Sequence, residues 1–148
     1  ETEILCPPDC VPQLAGRRVS AVRPGDNLQV KDVNIEVVPA YNTDKPNHPR
    51  SAGHVGYVIE TGSRRFYHAG DRDVIPEMDD VSCDVAFLPM GGTYTMDAEQ
   101  AAQAAARIRP RVVVPMHWGR LVGTRDDVKR LERSMPADVR LIVMTPEG

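Results

Sequence analysis

Between Asp84 and Met144 the chain repeats one pattern: a short apolar run, a polar or glycine-containing loop, then a capped helix. Asp84–Pro89, Arg111–Met116 and Val139–Met144 are the apolar runs, too short to be helices and rich in β-branched residues. The helical segments between them are delimited at both ends. Asp97 with Gln100 forms a capping box, alanines fill the segment to Arg109, and Pro110 stops it; Thr124 and Asp127 flank the start of the second, which runs to Met135 and ends at Pro136. Short runs separated by helices read as strands buried on both faces, so this half predicts a sheet with helical crossovers covering at least one face.

The first half has a different period. Thr2–Cys6 reads as a strand ending at Pro7-Pro8, and Arg18–Val22 and Asn27–Val30 as strands joined by the turn Arg23-Pro-Gly-Asp26. Val33–Ala40 places Val33, Ile35 and Val37 on one face, as a half-buried strand does. Residues 41–53 form a polar loop, and His54–Glu60 and Arg64–Ala69 flank Thr-Gly-Ser as a hairpin. The class is therefore α/β, hairpin-rich at the start and alternating later, in one domain over residues 1–148.

The 148 residues suffice for one hydrophobic core, with 41% hydrophobic and 26% charged residues. No apolar run approaches the roughly 20 residues of a membrane helix. The opening Glu-Thr-Glu-Ile-Leu-Cys is neither a secretory signal nor a natural start, which predicts a chain processed or truncated at its N-terminus. The net charge of −3 argues against a binder that tracks nucleic-acid phosphates, and Arg17-Arg18 and Arg64-Arg65 read as solvated loop charge. Cys6, Cys10 and Cys83 are an odd set with no second Cys or His pair at zinc-finger spacing. Reduced thiols in a cytoplasmic protein are the expectation.

Three of the strands run into glycine-containing loops that carry polar residues: Phe66-Tyr-His-Ala-Gly-Asp71, Phe87-Leu-Pro-Met-Gly-Gly92 and Val114-Pro-Met-His-Trp-Gly119. Ligands in sheets with helical crossovers sit at strand carboxyl ends. If these ends are neighbours, Asp71 and His117 converge on one pocket, and a carboxylate with a neutral imidazole suits Zn, Fe or Mn. Plainer readings stand beside this one. Asp71 after a glycine can cap the next turn, and His117 can be a hydrogen-bonded core histidine.

Taken in order, Val55-Gly-Tyr-Val-Ile-Glu60, His68-Ala-Gly-Asp-Arg-Asp73, Asp84-Val-Ala-Phe-Leu-Pro-Met-Gly-Gly-Thr-Tyr-Thr-Met-Asp97 and Pro115-Met-His-Trp-Gly119 resemble the metallo-β-lactamase superfamily. The likeness is greatest to its small metal-dependent hydrolases related to ascorbate-phosphate lactonases. It implies an αββα sandwich with a metal site at one sheet edge, of which this chain would supply the C-terminal two-thirds or so, the N-terminal part of the fold missing. Carried over, Asp71 matches the bridging carboxylate and His117 the last histidine ligand. His48 matches the middle histidine, with His54 as the alternative. The family's His-x-His-x-Asp-His motif has no counterpart here, so no catalytic residue is assigned.

The resemblance further implies one or two zinc ions in the complete protein, Mn or Fe being alternatives. Around them, His68 and Asp73 are expected to support the ligands or stabilise the turn. Thr93 and Tyr94 would hydrogen-bond substrate or metal-bound water, and Trp118 would line the pocket or pack. Arg72 would bind an anionic substrate group or face solvent, and Gly91-Gly92 would let backbone approach the site. The implied activity is hydrolysis of an ester, lactone or phosphoester-type small molecule; the alternative is an inactive fragment or binding module that keeps the fold. Nuclease action on RNA ends has family precedent but is opposed by the charge. A homo-oligomer, or a complementing N-terminal segment, would cover the sheet that a missing N-terminal part leaves open.

Overall fold

The computed structural model describes residues 2–144. Its strands are β1 (Glu3–Cys6), β2 (Arg18–Ala21), β3 (Asn27–Val30), β4 (Val33–Pro39), β5 (Val55–Thr61), β6 (Arg64–His68), β7 (Val85–Pro89), β8 (Val112–Met116) and β9 (Arg140–Leu141). Helix α1 (Ala98–Ile108) joins β7 to β8 and α2 (Arg125–Ser134) joins β8 to β9.

Connection length decides how the strands pair. Lys31 (φ 57°) and Gly62 (φ 58°) supply the left-handed backbone of two-residue turns, so β3–β4 and β5–β6 fold back as antiparallel hairpins. The helical connections return the chain to its starting edge, so β6, β7, β8 and β9 are parallel. The result is a seven-stranded sheet in the order β3-β4-β5-β6-β7-β8-β9. Because β6, β7 and β8 run the same way, the loops after His68, Pro89 and Met116 share one edge.

Both capping boxes are present. The Asp97 side chain accepts from the Gln100 amide at 2.8 Å and the Gln100 side chain accepts from the Asp97 amide at 3.0 Å. Thr124 and Asp127 make the same exchange at α2. Val58, Tyr67, Ala86 and Val113 stand opposite one another across β5 to β8, all 0–1% exposed. Ala104, Ala105 and Ile108 of α1 join that cluster, and the small alanines let the helix approach the sheet closely. Ala98, Ala101 and Ala102 turn to Val128 and Leu131 of α2. The other sheet face carries a half-exposed row of Ile59, Phe66, Val85 and Val112.

The structure goes beyond these expectations at three places. The turn Arg23–Asp26 does not close a hairpin: β2 pairs parallel with β1 in a separate two-stranded sheet, and the turn bonds to Val37 of β4 instead. The last apolar run is strand only at Arg140–Leu141, although Ile142 still donates to the Val113 carbonyl at 2.9 Å. Short 3-10 helices occupy Pro8–Leu14, Arg50–Ala52 and Pro76–Asp80, segments that show no helical period. Among the described residues, no helix is long and apolar enough to cross a membrane.

Tyr67, at the centre of this core, predicts an alkaline limit to stability. Burial pushes its phenol from 10.0 up to about 12, although the neighbouring Arg72 pulls the other way. A raised folded value means the contribution is complete below pH 10 and disappears as pH rises through about 12. A rise from 10.0 to about 12 corresponds to roughly 2–3 kcal/mol. In an alkaline titration read by tyrosinate absorbance and circular dichroism together, Tyr67 should ionise only as the fold melts; its ionisation in the intact fold near pH 10 would refute this.

Candidate metal centre

Asp71 stands in the loop after β6, His117 one residue past β8, and His48 in the loop after β4. His48 Nε2 and His117 Nε2 each lie 3.5 Å from the same oxygen, Oδ2 of Asp71. Both histidines have left-handed backbone, φ 54° and 59°. The remaining non-glycine residues with positive φ have local reasons: Lys31 sits in a hairpin turn and Arg109 ends α1. Outside such turns and caps the conformation costs on the order of 1–3 kcal/mol and collects at functional sites. Here it turns two imidazoles onto one carboxylate.

The loop carrying His48 is fastened at several points. The Asn42 amide donates to the His48 carbonyl, and the Asn42 side chain donates to the carbonyls of Asn47 and Tyr94, each at 2.8 Å. Asp73, 1% exposed, accepts from the Thr43 amide at 2.9 Å and from the Lys45 ammonium. Burial alone would raise the Asp73 carboxyl; the Lys45 hydrogen bond, the Thr43 amide and the Lys45 charge outweigh it, holding the group below its ordinary value. The Asp73 amide also donates to the Tyr41 carbonyl at 3.1 Å, tying the Asp71 loop to the His48 loop through backbone.

The donor set fits a borderline-soft cation. Ligands about 2.0–2.1 Å from a tetrahedral ion stand about 3.3 Å from each other, close to the observed 3.5 Å. A neutral imidazole facing a carboxylate with its bare nitrogen repels it unless a cation lies between them. Among the described residues, no three His, Cys, Asp or Glu side chains close into a complete metal cage. His48 and His117 instead meet through Asp71, as a partial donor set. Depressions open on either side of it. One is lined by Pro7, Ala40, His48, His54, Val55 and Asp71, and the other, about 720 Å³, runs from His117 and Trp118 to Arg120 and Arg125.

Other expected residues divide. Gly91 approaches as foreseen: a Cβ there would lie 2.7 Å from the His117 carbonyl and 2.9 Å from its Nδ1. Trp118 both lines the larger depression and packs on the α1–α2 cluster, its indole donating to Pro115 O at 3.2 Å. His54 meets His48 rather than Asp71, Nδ1 to Nδ1 at 3.1 Å. His68 stacks on Phe87 and accepts from the Gly70 amide at 3.3 Å, a turn-holding role away from the three donors. Thr93 and Tyr94 are exposed and make no side-chain hydrogen bond to the cluster, Tyr94 contributing its carbonyl to Asn42. Arg72 does not face solvent. It is 1% exposed, bonded to the Tyr67 hydroxyl and to Asp73 O, with one nitrogen unpartnered.

Gly91→Ala should therefore push His117 off its position. We expect a loss of about 1–3 kcal/mol in stability and, if His117 ligates, weaker metal binding, read by thermal melting and metal titration. Unchanged affinity would show that His117 does not depend on this approach.

Comparison with known proteins agrees with this geometry. The family described as "Beta-lactamase superfamily domain" matches residues 6–117. A protein of Nitratidesulfovibrio vulgaris strain DP4 named "UPF0173 metal-dependent hydrolase" is 35% identical over 130 residues, covering 82% of this chain and 52% of that protein. A crystal structure from Parabacteroides distasonis superposes with TM-score 0.85 at 32% identity, covering 96% of this chain and 64% of that one. The metallo-beta-lactamase fold protein YhfI from Bacillus subtilis superposes with TM-score 0.76 at 12% identity, over 96% of this chain and 61% of that one. The chain belongs to the β-lactamase superfamily and has the metallo-β-lactamase fold. It spans about half the length of the curated relative cited here.

Proposed function

We propose that the complete protein is a metal-dependent hydrolase to which this chain contributes Asp71, His117 and His48 as ligands. The reading rests above all on the convergence of two histidine Nε2 atoms, each on left-handed backbone, at Oδ2 of Asp71. Zinc suits two imidazoles and a carboxylate best, with Mn or Fe as alternatives. When bound, the metal would lower the pKa of a water molecule and polarise the scissile group.

This chain's own residues hold that centre in place. Asp71 would hold the metal together with His48 and His117, its carboxylate being able to serve one ion or two. The Asp73–Lys45–Thr43 contacts keep His48 against it, and Gly91 gives His117 its room. Trp118 offers an apolar wall to a small ester, lactone or phosphoester. The free thiols of Cys6, Cys10 and Cys83 suit a cytoplasmic setting.

The test uses the complete protein. Metal is measured by elemental analysis, and hydrolysis is followed on a p-nitrophenyl ester, a simple lactone and bis-p-nitrophenyl phosphate before and after chelation. Bound zinc, with hydrolysis of at least one probe that chelation removes and zinc restores, is the expected result. A metal-free protein, or hydrolysis indifferent to the chelator, would overturn the proposal.

A further inference from the structure

The larger depression beside His117 has two arginines on its wall, Arg120 from the loop after β8 and Arg125 from the start of α2. Both are exposed, and among the described residues neither pairs with a carboxylate. The acidic residues next to Arg125 are already engaged. Asp126 holds Lys129 at 2.8 Å, and Asp127 holds Arg130 at 3.2 Å and the Thr124 hydroxyl at 2.7 Å. Folding does not account for Arg125 either. It opens α2, where the backbone amides already present positive charge, so the helix gains nothing from a cation at that end.

The surroundings give these charges a use. On a chain of net charge −3, two unneutralised guanidiniums share one depression with Trp118 and Met144. A concave cationic patch of this kind concentrates anions. A guanidinium fork matches the oxygens of a carboxylate or a phosphate, and an indole packs against an apolar body. His117 lines the same depression, so a ligand held there lies beside the candidate metal centre.

We infer that this depression selects small substrates that carry a carboxylate or a phosphate on an apolar acyl or aryl body. Arg120 and Arg125 bind the anionic group and Trp118 packs on the body. The substrate role rests on the metal-centre reading above, but recognition of the anion can be measured without metal.

The experiment titrates the metal-free complete protein with phenylacetate, phenyl phosphate and the neutral phenylacetamide, following the Trp118 indole N–H and the arginine Nε–H signals by ¹⁵N NMR. At least one anion should bind more tightly than the amide and shift Trp118, Arg120 and Arg125; the tighter of the two tells carboxylate from phosphate. Arg120→Gln with Arg125→Gln should weaken that anion by at least about 10-fold. Arg133→Gln with Arg140→Gln removes the same charge away from the depression and should leave the binding in place. In the zinc-loaded protein, the preference for mono-p-nitrophenyl succinate over p-nitrophenyl acetate, as a ratio of kcat/KM, should fall by a similar factor in the Arg120/Arg125 variant. Circular dichroism checks the fold of each variant. Anions that bind no better than the amide, or a variant that binds and discriminates like the wild type, would overturn the inference and leave the metal centre standing. If Asp71→Ala kept its zinc, the metal reading would fail by itself, and the substrate role of the depression with it.

Discussion

Asp71→Ala in the complete protein is expected to lower zinc affinity by more than about 100-fold, beyond the usual effect of losing a supporting residue, and to bring chelator-sensitive hydrolysis to background. Asp71 supplies the single oxygen on which His48 and His117 meet. Without it, two neutral nitrogens remain with no negative charge between them, and a divalent cation gains little by leaving water for that pair. The fold should survive. The side chain is 36% exposed, and the loop is anchored by backbone bonds, Ala69 to Phe87 and Asp73 to Tyr41. A stability change within about 0.5 kcal/mol, as for an ordinary surface substitution, is the companion expectation. Full zinc occupancy in the variant, measured by elemental analysis, would remove Asp71 from the site.

Asp73→Ala should behave in the opposite way, with stability lost first and metal affinity as a consequence. Its carboxylate is buried and holds Lys45 and the Thr43 amide. Removing it leaves the Thr43 amide without its acceptor and a Lys45 ammonium, its side chain only 16% exposed, held by Asp44 alone at 3.3 Å. Breaking such a pair costs about 2–4 kcal/mol, or roughly 5–15 °C in melting temperature for a domain of this size. Lys45→Met removes the other partner, and the double variant should cost clearly less than the sum of the two, because each single change already loses the pair. Asp73→Asn, which still accepts from Thr43, should fall between. Additive losses would show that the two side chains act independently.

These two aspartates also show what can be read from a chain of this kind. Asp71 was legible because its signals are local: an apolar strand, a glycine at φ 68°, then the carboxylate. The same holds for His117 after β8 and for both helices, whose caps lie within four residues of each other. Asp73 was harder, since its partners lie 28 and 30 residues upstream. Arg72 misled for a different reason. A cation beside a candidate ligand suggests solvent or substrate, but the Tyr67 hydroxyl, on the helix-covered face of β6, draws it inward. The 3-10 helices were invisible because one or two turns leave no period to detect.

The segment after His117 has a consequence of its own. Gly119 N–H donates to the carbonyls of Val122 and Gly123 at 3.0 and 3.2 Å, so the stretch closes on itself, and Leu121 at its tip is 92% exposed. His117 is fixed from behind, by β8 and Gly91, rather than by that tip. Variation at Arg120 and Leu121 can therefore accumulate without disturbing His117, whereas Val122 packs against Gly91 and is held to its place. Under the proposed function, the tip is where a change of side chain would alter what meets the substrate while leaving the strand-end aspartate and histidine where they are.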